Sequence, residues 1–257
     1  MAISPSPHSV PKPEALLHAQ PLQLSGPEPS RIYAIGDVHG RLDLLDRLID
    51  RIGAELSSDA EHALVVTLGD YVDRGPKSAG VLDRLAEGCF PCAHVALRGN
   101  HEEILLNFLD DAAVLERWRR QGAVETLISY GVPVGEVMRG RGLEQARTAL
   151  LAALPESHMA FLKGLGTSLT VERYFFCHAG VRPGVPLDRQ SARDLAWIRD
   201  EFLSSTADFG KVVVHGHTPV PKADIRPNRI NVDTGAFLTG TLSCAVLEGE
   251  RVRILTA

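Results

Sequence analysis

The tetrad Gly99-Asn100-His101-Glu102 constrains this chain more than any other stretch. It follows the apolar run at 93–97 and Arg98. A short aliphatic run of this kind predicts a strand. The Gly-Asn pair predicts a sharp stop that leaves Arg98, Asn100 and His101 together at the strand's carboxyl end. Four other stretches repeat the layout. Residues 31–35 run into Gly36-Asp37-Val38-His39-Gly40, and residues 63–68 into Gly69-Asp70-Tyr71-Val72-Asp73-Arg74-Gly75. Residues 173–177 lead to His178-Ala179-Gly180, and residues 211–214 to His215-Gly216-His217-Thr218. Five strands thus each deliver oxygen or imidazole groups at one end, the pattern of a metal-dependent active site.

Between the first three strands the hydrophobic period changes from two to 3.6. Leu42, Leu45, Leu48, Ile49 and Ile52 form one stripe, with Asp43, Asp46, Arg47, Asp50 and Arg51 opposite, which predicts an amphipathic helix. A shorter helix is predicted at 78–86, ended by Gly88, and a third from near Glu102. Apolar strands alternating with helices predict a sheet buried on both faces, with ligands outside the strand carboxyl ends. Residues 111–165 read as an inserted helical layer that could roof the site, broken at Gly122, Gly131, Pro133, Gly140, Gly142 and Pro155. A hairpin is expected at 167–171 and 174–177, a helix at 192–203, and strands at 211–214, 229–232, 241–247 and 251–255. The second half should then supply a more antiparallel sheet. The fold class expected is α/β (α+β), with two mixed β-sheets face to face in a sandwich flanked by helices on both sides. Residues 31–257 form that domain. Residues 1–30 carry seven prolines and read as a mobile tail with a helical turn near 14–18. The alternative is a strap held by Leu16, Leu17, Leu22 and Leu24.

Net charge is −5 over 257 residues, which argues against nucleic acid or an anionic membrane as partner. No apolar run approaches the roughly 20 residues that span a bilayer. The N-terminus lacks a basic segment followed by an apolar core, which reads against a secretory signal. Cys89 and Cys92 have zinc-like spacing, but no second pair answers them. With Cys177 and Cys244 they read as reduced thiols, and a cytoplasmic location is expected.

Of ten histidines, His39, His101, His178, His215 and His217 sit at strand ends, interleaved with Asp37, Asp70 and Asn100. Carboxylates gathered at a buried edge repel one another unless a cation compensates. Donors of this kind without thiolate favour Mn²⁺ or Fe over a structural zinc. There are enough for two ions sharing one carboxylate. Arg74, Arg98 and Arg199 lie near these donors, and arginine beside a metal pair suits a tetrahedral oxyanion such as phosphate.

The segments 36–40, 69–75 and 98–102 resemble the signature of the PPP-type, calcineurin-like metallophosphoesterases, the serine/threonine protein phosphatases. Cys177-His178-Ala179-Gly180, Gly216-His217-Thr218-Pro219 and Asn231-Val232-Asp233-Thr234-Gly235 extend the likeness, which is greatest to bacterial members and the lambda phage phosphatase. The resemblance implies Asp37 and His39 on one ion, Asp70 bridging, and Asn100, His178 and His217 on the other. His215 would stand behind the ligands. His101 would be the general acid, oriented by Asp73. Arg74, Arg98 and Arg199 would hold the phosphoryl oxygens, Trp197-Ile198-Arg199 being similar to the phage enzyme's Trp-x-Arg. The implied cofactors are two divalent ions, Mn²⁺ first and Fe or Zn otherwise, with activated water attacking phosphate in line. The implied substrate is a phosphoprotein. The alternative is a symmetrical diadenosine tetraphosphate hydrolase or another small phosphoester or polyphosphate hydrolase. That branch usually lacks the aspartate matching Asp73 and has Leu-Gly-Asn-His-Asp where this chain has Leu97-Arg98-Gly99-Asn100-His101-Glu102. Residues 122–127 are similar to a bacterial Gly-Gly-x-x-Thr-Leu stretch, with Ala123 for the second glycine. With Trp118 and Ser129-Tyr130-Gly131 they would shape substrate access or simply pack a helix.

Overall fold

A computed structural model describes residues 20–24, 28–56 and 60–257. Strand β1 (Arg31–Ile35) shows the principle of the fold. Ile32 and Ala34 point into a core between two sheets, while Tyr33 and Ile35 point out into a core beneath helices. Every side chain from Ile32 to Ile35 is therefore buried, and the strand reads as uniformly apolar.

The first sheet adds β2 (Ala63–Thr67) and β3 (Ala93–Ala96), both parallel to β1 in the order β1-β2-β3. The helices between these strands are α1 (Leu42–Glu55) and α2 (Ser78–Glu87), and α3 (Asn100–Asp110) follows β3. The second sheet is built from β4 (Ser168–Val171), β5 (Tyr174–Cys177), β6 (Val212–His215), β7 (Asp224–Ile225) and β8 (Arg229–Asn231), in the order β4-β5-β6-β8-β7. Its centre is parallel, and only the edge strands β4 and β7 run antiparallel. The last two strands, β9 (Ser243–Glu248) and β10 (Arg251–Thr256), return to the first sheet, with β9 antiparallel to β1. The expected sandwich of two mixed sheets is present. The expected division by chain half is not, because β9 closes the otherwise open edge of β1.

Ile32, Ala34, Leu64, Val66, Phe176, Val214, Ile230 and Ala245 fill the space between the sheets. Residues 20–24 lie on the second sheet. The Leu22 amide donates to the Ser168 carbonyl at 2.8 Å, the Thr167 amide donates to Gln20 at 3.1 Å, and Leu22 and Leu24 pack against the inter-sheet core. This is a strap over that stretch. The turn expected at 14–18, with Leu16 and Leu17, lies outside the described residues.

Between α3 and β4 come α4 (Leu115–Trp118), α5 (Ala123–Ser129), α6 (Gly135–Met138), α7 (Leu143–Ala153) and α8 (Glu156–Gly164). They share the outer core of the first sheet, through Trp118, Leu127, Leu150 and Leu162. The helix expected at 192–203 is two pieces, α9 (Ala192–Trp197) and α10 (Asp200–Leu203). The break falls at Ile198, buried with Phe202 beneath the second sheet, and at Arg199, whose φ of −133° and ψ of −101° are not helical. A short helix missed in the sequence, α11 (Ala236–Thr239), follows Gly235.

Candidate metal centre

The loops after β1, β2, β3, β5 and β6 meet at the carboxyl ends of the strands. Six non-glycine residues among those described have positive φ, and five lie here: His39, Asp70, Asp73, Arg74 and His217. Such conformations persist only where surrounding bonds impose them. Glu102, on the first turn of α3, holds Asp70 and the loop around it. Its Oε1 accepts the Tyr71 and Val72 amides at 2.7 and 3.2 Å, and its Oε2 accepts the Asp70 and Gly99 amides at 2.8 and 3.0 Å. Burial and the Asp70 charge nonetheless push Glu102 up to about 7. Gly99 is required by the close approach of the β2 loop, since a Cβ there would lie 2.1 Å from Asp70 Oδ1.

His39 and His178 are each fixed by one ring nitrogen and offer the other. His39 Nδ1 donates to the Val72 carbonyl at 2.8 Å, and His178 Nδ1 donates to the Leu68 carbonyl at 3.0 Å. His178 Nε2 then faces Asn100 Oδ1 at 3.0 Å, His217 Nδ1 at 3.2 Å and Asp70 Oδ1 at 3.4 Å. These are acceptors brought together at a distance that a proton or a cation must bridge. Two sets of ligand atoms lie within 4.8 Å of one another: His39, Asp70 and His101, and Asp70, His178 and His217. Asp70 belongs to both. That donor set fits a pair of divalent cations sharing Asp70. Asp37 lies alongside, both its oxygens 3.1 Å from the His217 amide.

The buried charges are strongly interdependent. Burial, and then the neighbouring Asp233, hold the Asp37 carboxyl well above its usual range. Burial lowers His39 to about 3 and His217 to about 2. Burial also works against charge on His178, yet Asp70 and Asp37 hold its pKa up at about 10. Asp70 is held well below its usual range because His178 and His101 outweigh its burial.

His101 is bound from behind. Its Nδ1 donates to Asp73 Oδ2 at 2.6 Å, and its Nε2 faces the site, 3.8 Å from Asp70 Oδ2. Arg74 spans the two outer imidazoles, with Nη1 3.0 Å from His39 Nε2 and Nη2 3.1 Å from His101 Nε2. Its guanidinium lies 4.8 Å from the centroid of the Phe237 ring. These groups open into a cleft of about 530 Å³ lined by Arg74, Asn100, Gly122, Trp197, Arg199 and Phe237, with Arg120, Gln121 and Glu125 at the insertion's side.

The structure thus brings together Asp37, His39, Asp70, Asp73, Arg74, Asn100, His101, His178, Arg199 and His217. Arg98 is buried, and one of its guanidinium nitrogens donates to the Leu162 carbonyl of α8 at 3.3 Å. His215 points away from the cleft. Its ring packs on Phe202 at 5.0 Å, and its Nδ1 lies 3.0 Å from the Gly216 carbonyl. Sequence reasoning gave no role to Glu102, Asp233, Phe237 or Glu103, which accepts the Trp197 indole N–H at 2.9 Å. A carboxylate just inside a helix start was a visible cue for Glu102.

Residues 30–245 match the calcineurin-like phosphoesterase family, and the chain belongs to it. Serine/threonine-protein phosphatase 1 of Salmonella typhimurium is 25% identical over 225 residues, 84% of this chain and 92% of that protein. The asymmetrical bis(5'-nucleosyl)-tetraphosphatase PrpE of Halalkalibacterium halodurans is 24% identical over 228 residues, 81% of this chain and 87% of that one. A solved structure proposed to be a diadenosine tetraphosphatase superposes with a TM-score of 0.62 at 21% identity, over 93% of this chain and 98% of that one, a likeness of fold.

Proposed function

We propose that this chain is a phosphoester hydrolase working with two divalent metal ions, and that its preferred substrates are phosphoserine and phosphothreonine residues of proteins. The observation that carries the reading is Asp70, shared by two ligand sets beside an Asp73–His101 pair and an arginine-lined cleft. Asp37 and His39 would hold one ion, and Asn100, His178 and His217 the other, with Asp70 between. When bound, the pair supplies a nucleophile from water at neutral pH and offsets charge on the phosphoryl oxygens. Mn²⁺ suits these donors.

The chain's own residues do the rest. Arg74 and Arg199 face the cleft with Asn100 and orient the phosphoryl group, which fixes the line of attack. As the new P–O bond forms, the ester P–O bond breaks. His101, protonated at Nε2 once Arg74 turns to the phosphoryl oxygens, gives that proton to the leaving oxygen and regains one from solvent. Asp73 holds the imidazole ring in position through Nδ1. Arg98, beside Gly99 and Asn100 in the chain, would be a third guanidinium for the phosphoryl oxygens.

Relatives of both kinds support the two candidate substrate classes. Protein phosphatase chemistry is preferred because Asp73 is present and buried against His101. The test is p-nitrophenyl phosphate hydrolysis with Mn²⁺ and with EDTA, then kcat/KM on a phosphothreonine peptide and on diadenosine tetraphosphate side by side. Mn²⁺-stimulated release abolished by EDTA is expected, with the peptide preferred. A much higher kcat/KM on the dinucleotide would reverse the substrate assignment, and no release above blank would remove the activity.

A further inference from the structure

The helical insertion does more than roof the cleft. Asp73 is fully buried, and three hydrogen-bond donors converge on its carboxylate, each at 2.6 Å. One is His101 Nδ1. The other two come from the insertion: the Trp118 indole N–H, also to Oδ2, and the Thr126 hydroxyl, to Oδ1. The same hydroxyl accepts the Asp73 amide at 2.8 Å, and Ser78 Oγ stands 3.0 Å from it. One residue on, the Arg74 amide donates to the Gly122 carbonyl at 3.2 Å. Asp73 and Arg74 are consecutive residues with φ of 74° and 68°. Two adjacent left-handed non-glycine residues need bonds from outside the loop to hold them; Ser78 Oγ accepts the Asp73 amide at 3.0 Å, and the insertion supplies the others.

We infer that Trp118 and Thr126 are positioning residues for leaving-group protonation, acting on His101 through the orientation of Asp73. Neither touches the phosphate. A carboxylate with its lone pairs assigned to three fixed donors has one orientation, and the ring it holds therefore has one as well. Loss of the indole N–H lets the carboxylate turn, and the His101 Nε2 proton leaves the line of the departing oxygen. The penalty then depends on how much the leaving group needs that proton. An alkyl or phenyl ester needs it, whereas a nitrophenyl ester departs largely unaided.

This inference rests on the proposed hydrolysis, so its test has two arms. The first is independent of activity. In the full-length protein, proton NMR of the His101 Nδ1–H···Asp73 bond should show a low-field imidazole resonance that His101→Asn removes. Trp118→Phe and Thr126→Val should shift it, Thr126→Ser should restore it, and Leu127→Ala, a buried change on the same helix, should leave it in place. The second arm is kinetic. General acids contribute roughly 10²–10⁴-fold, so Trp118→Phe and Thr126→Val should lower kcat on phenyl phosphate by about 10- to 100-fold, with much smaller losses on p-nitrophenyl phosphate and little change in KM. Leu127→Ala should lower stability without altering that ratio. A resonance unmoved in both variants overturns the inference whatever the activity. Equal losses on the two esters overturn it as well. If the wild type hydrolyses neither ester, the functional reading fails and the resonance still decides the role of Trp118 and Thr126.

Discussion

Glu102→Gln is the sharpest test of how the metal loops are held. The substitution is nearly isosteric but replaces one acceptor oxygen by an NH₂ donor. Whichever way the amide is turned, two of the four bound amides lose their acceptor: either those of Tyr71 and Val72 or those of Asp70 and Gly99. An unsatisfied buried N–H costs about 1–3 kcal/mol, so the gross loss is about 2–6 kcal/mol. Part of it is offset. Glu102 is pushed up to about 7 by burial and by Asp70, so its charge is itself costly in this place. The lower half of the range, about 2–4 kcal/mol, is expected. A chain of this length shifts by about 2 °C per kcal/mol, which gives a melting temperature lower by roughly 4–8 °C. Scanning calorimetry in EDTA reads that shift directly. Titration with Mn²⁺ reads the second consequence, weaker binding, because Asp70 leaves the conformation in which both ligand sets share it. Glu102→Asp keeps the charge but is one methylene short, and it should lose stability too. A Glu102→Gln protein melting within a degree of wild type, with unchanged Mn²⁺ affinity, refutes the claim that this carboxylate sets the loop.

Two further outcomes follow from the same geometry. His101→Asn should retain both metal ions by elemental analysis yet lose several orders of magnitude in kcat; loss of an ion instead would place His101 among the ligands, a possibility raised by its membership in one ligand set. His215 is lowered to about 3 by burial and binds its proton near 6.5 once unfolded. Because the unfolded chain takes up that proton first, stability should fall as pH drops below about 6.5 and keep falling towards 3. In EDTA, His215→Gln should show a shallower acid limb of melting temperature against pH than wild type, and an identical limb would contradict the assignment.

The sandwich was legible because uniformly apolar strands alternate with an amphipathic helix and end in chemistry-bearing turns. The metal-site candidates were legible for a related reason. Buried carboxylates and imidazoles are costly singly, so a sequence that places them at five strand ends declares a shared site. Features that depend on one particular long-range partner left no periodic signal. β9 reads the same whether it pairs with the second sheet or with β1, yet it pairs with β1. Arg98 stands one residue before Gly99, and its bond to the Leu162 carbonyl of α8 left no sign in the sequence. Only the break at Ile198 shows why Arg199 reaches the cleft.

The insertion was the least legible segment, for a specific physical reason. Trp118 and Thr126 lie 45 and 53 residues from Asp73, and short helices broken by glycine carry little amphipathic pattern. Trp118 reads from sequence as shaping substrate access or packing a helix, and it lies in the core, packed 5.1 Å from the Phe108 ring. Its N–H is nonetheless aimed at the one carboxylate behind the proposed general acid. The strained loops at the strand ends cannot hold their own left-handed residues. Glu102 holds Asp70 from below, and the insertion holds Asp73 and Arg74 from the other side. It follows that residues 111–165 cannot be exchanged freely between relatives to alter substrate choice. A transplanted insertion that lacks an N–H and a hydroxyl at these two positions would change the cleft wall and loosen the proton donor in the same step.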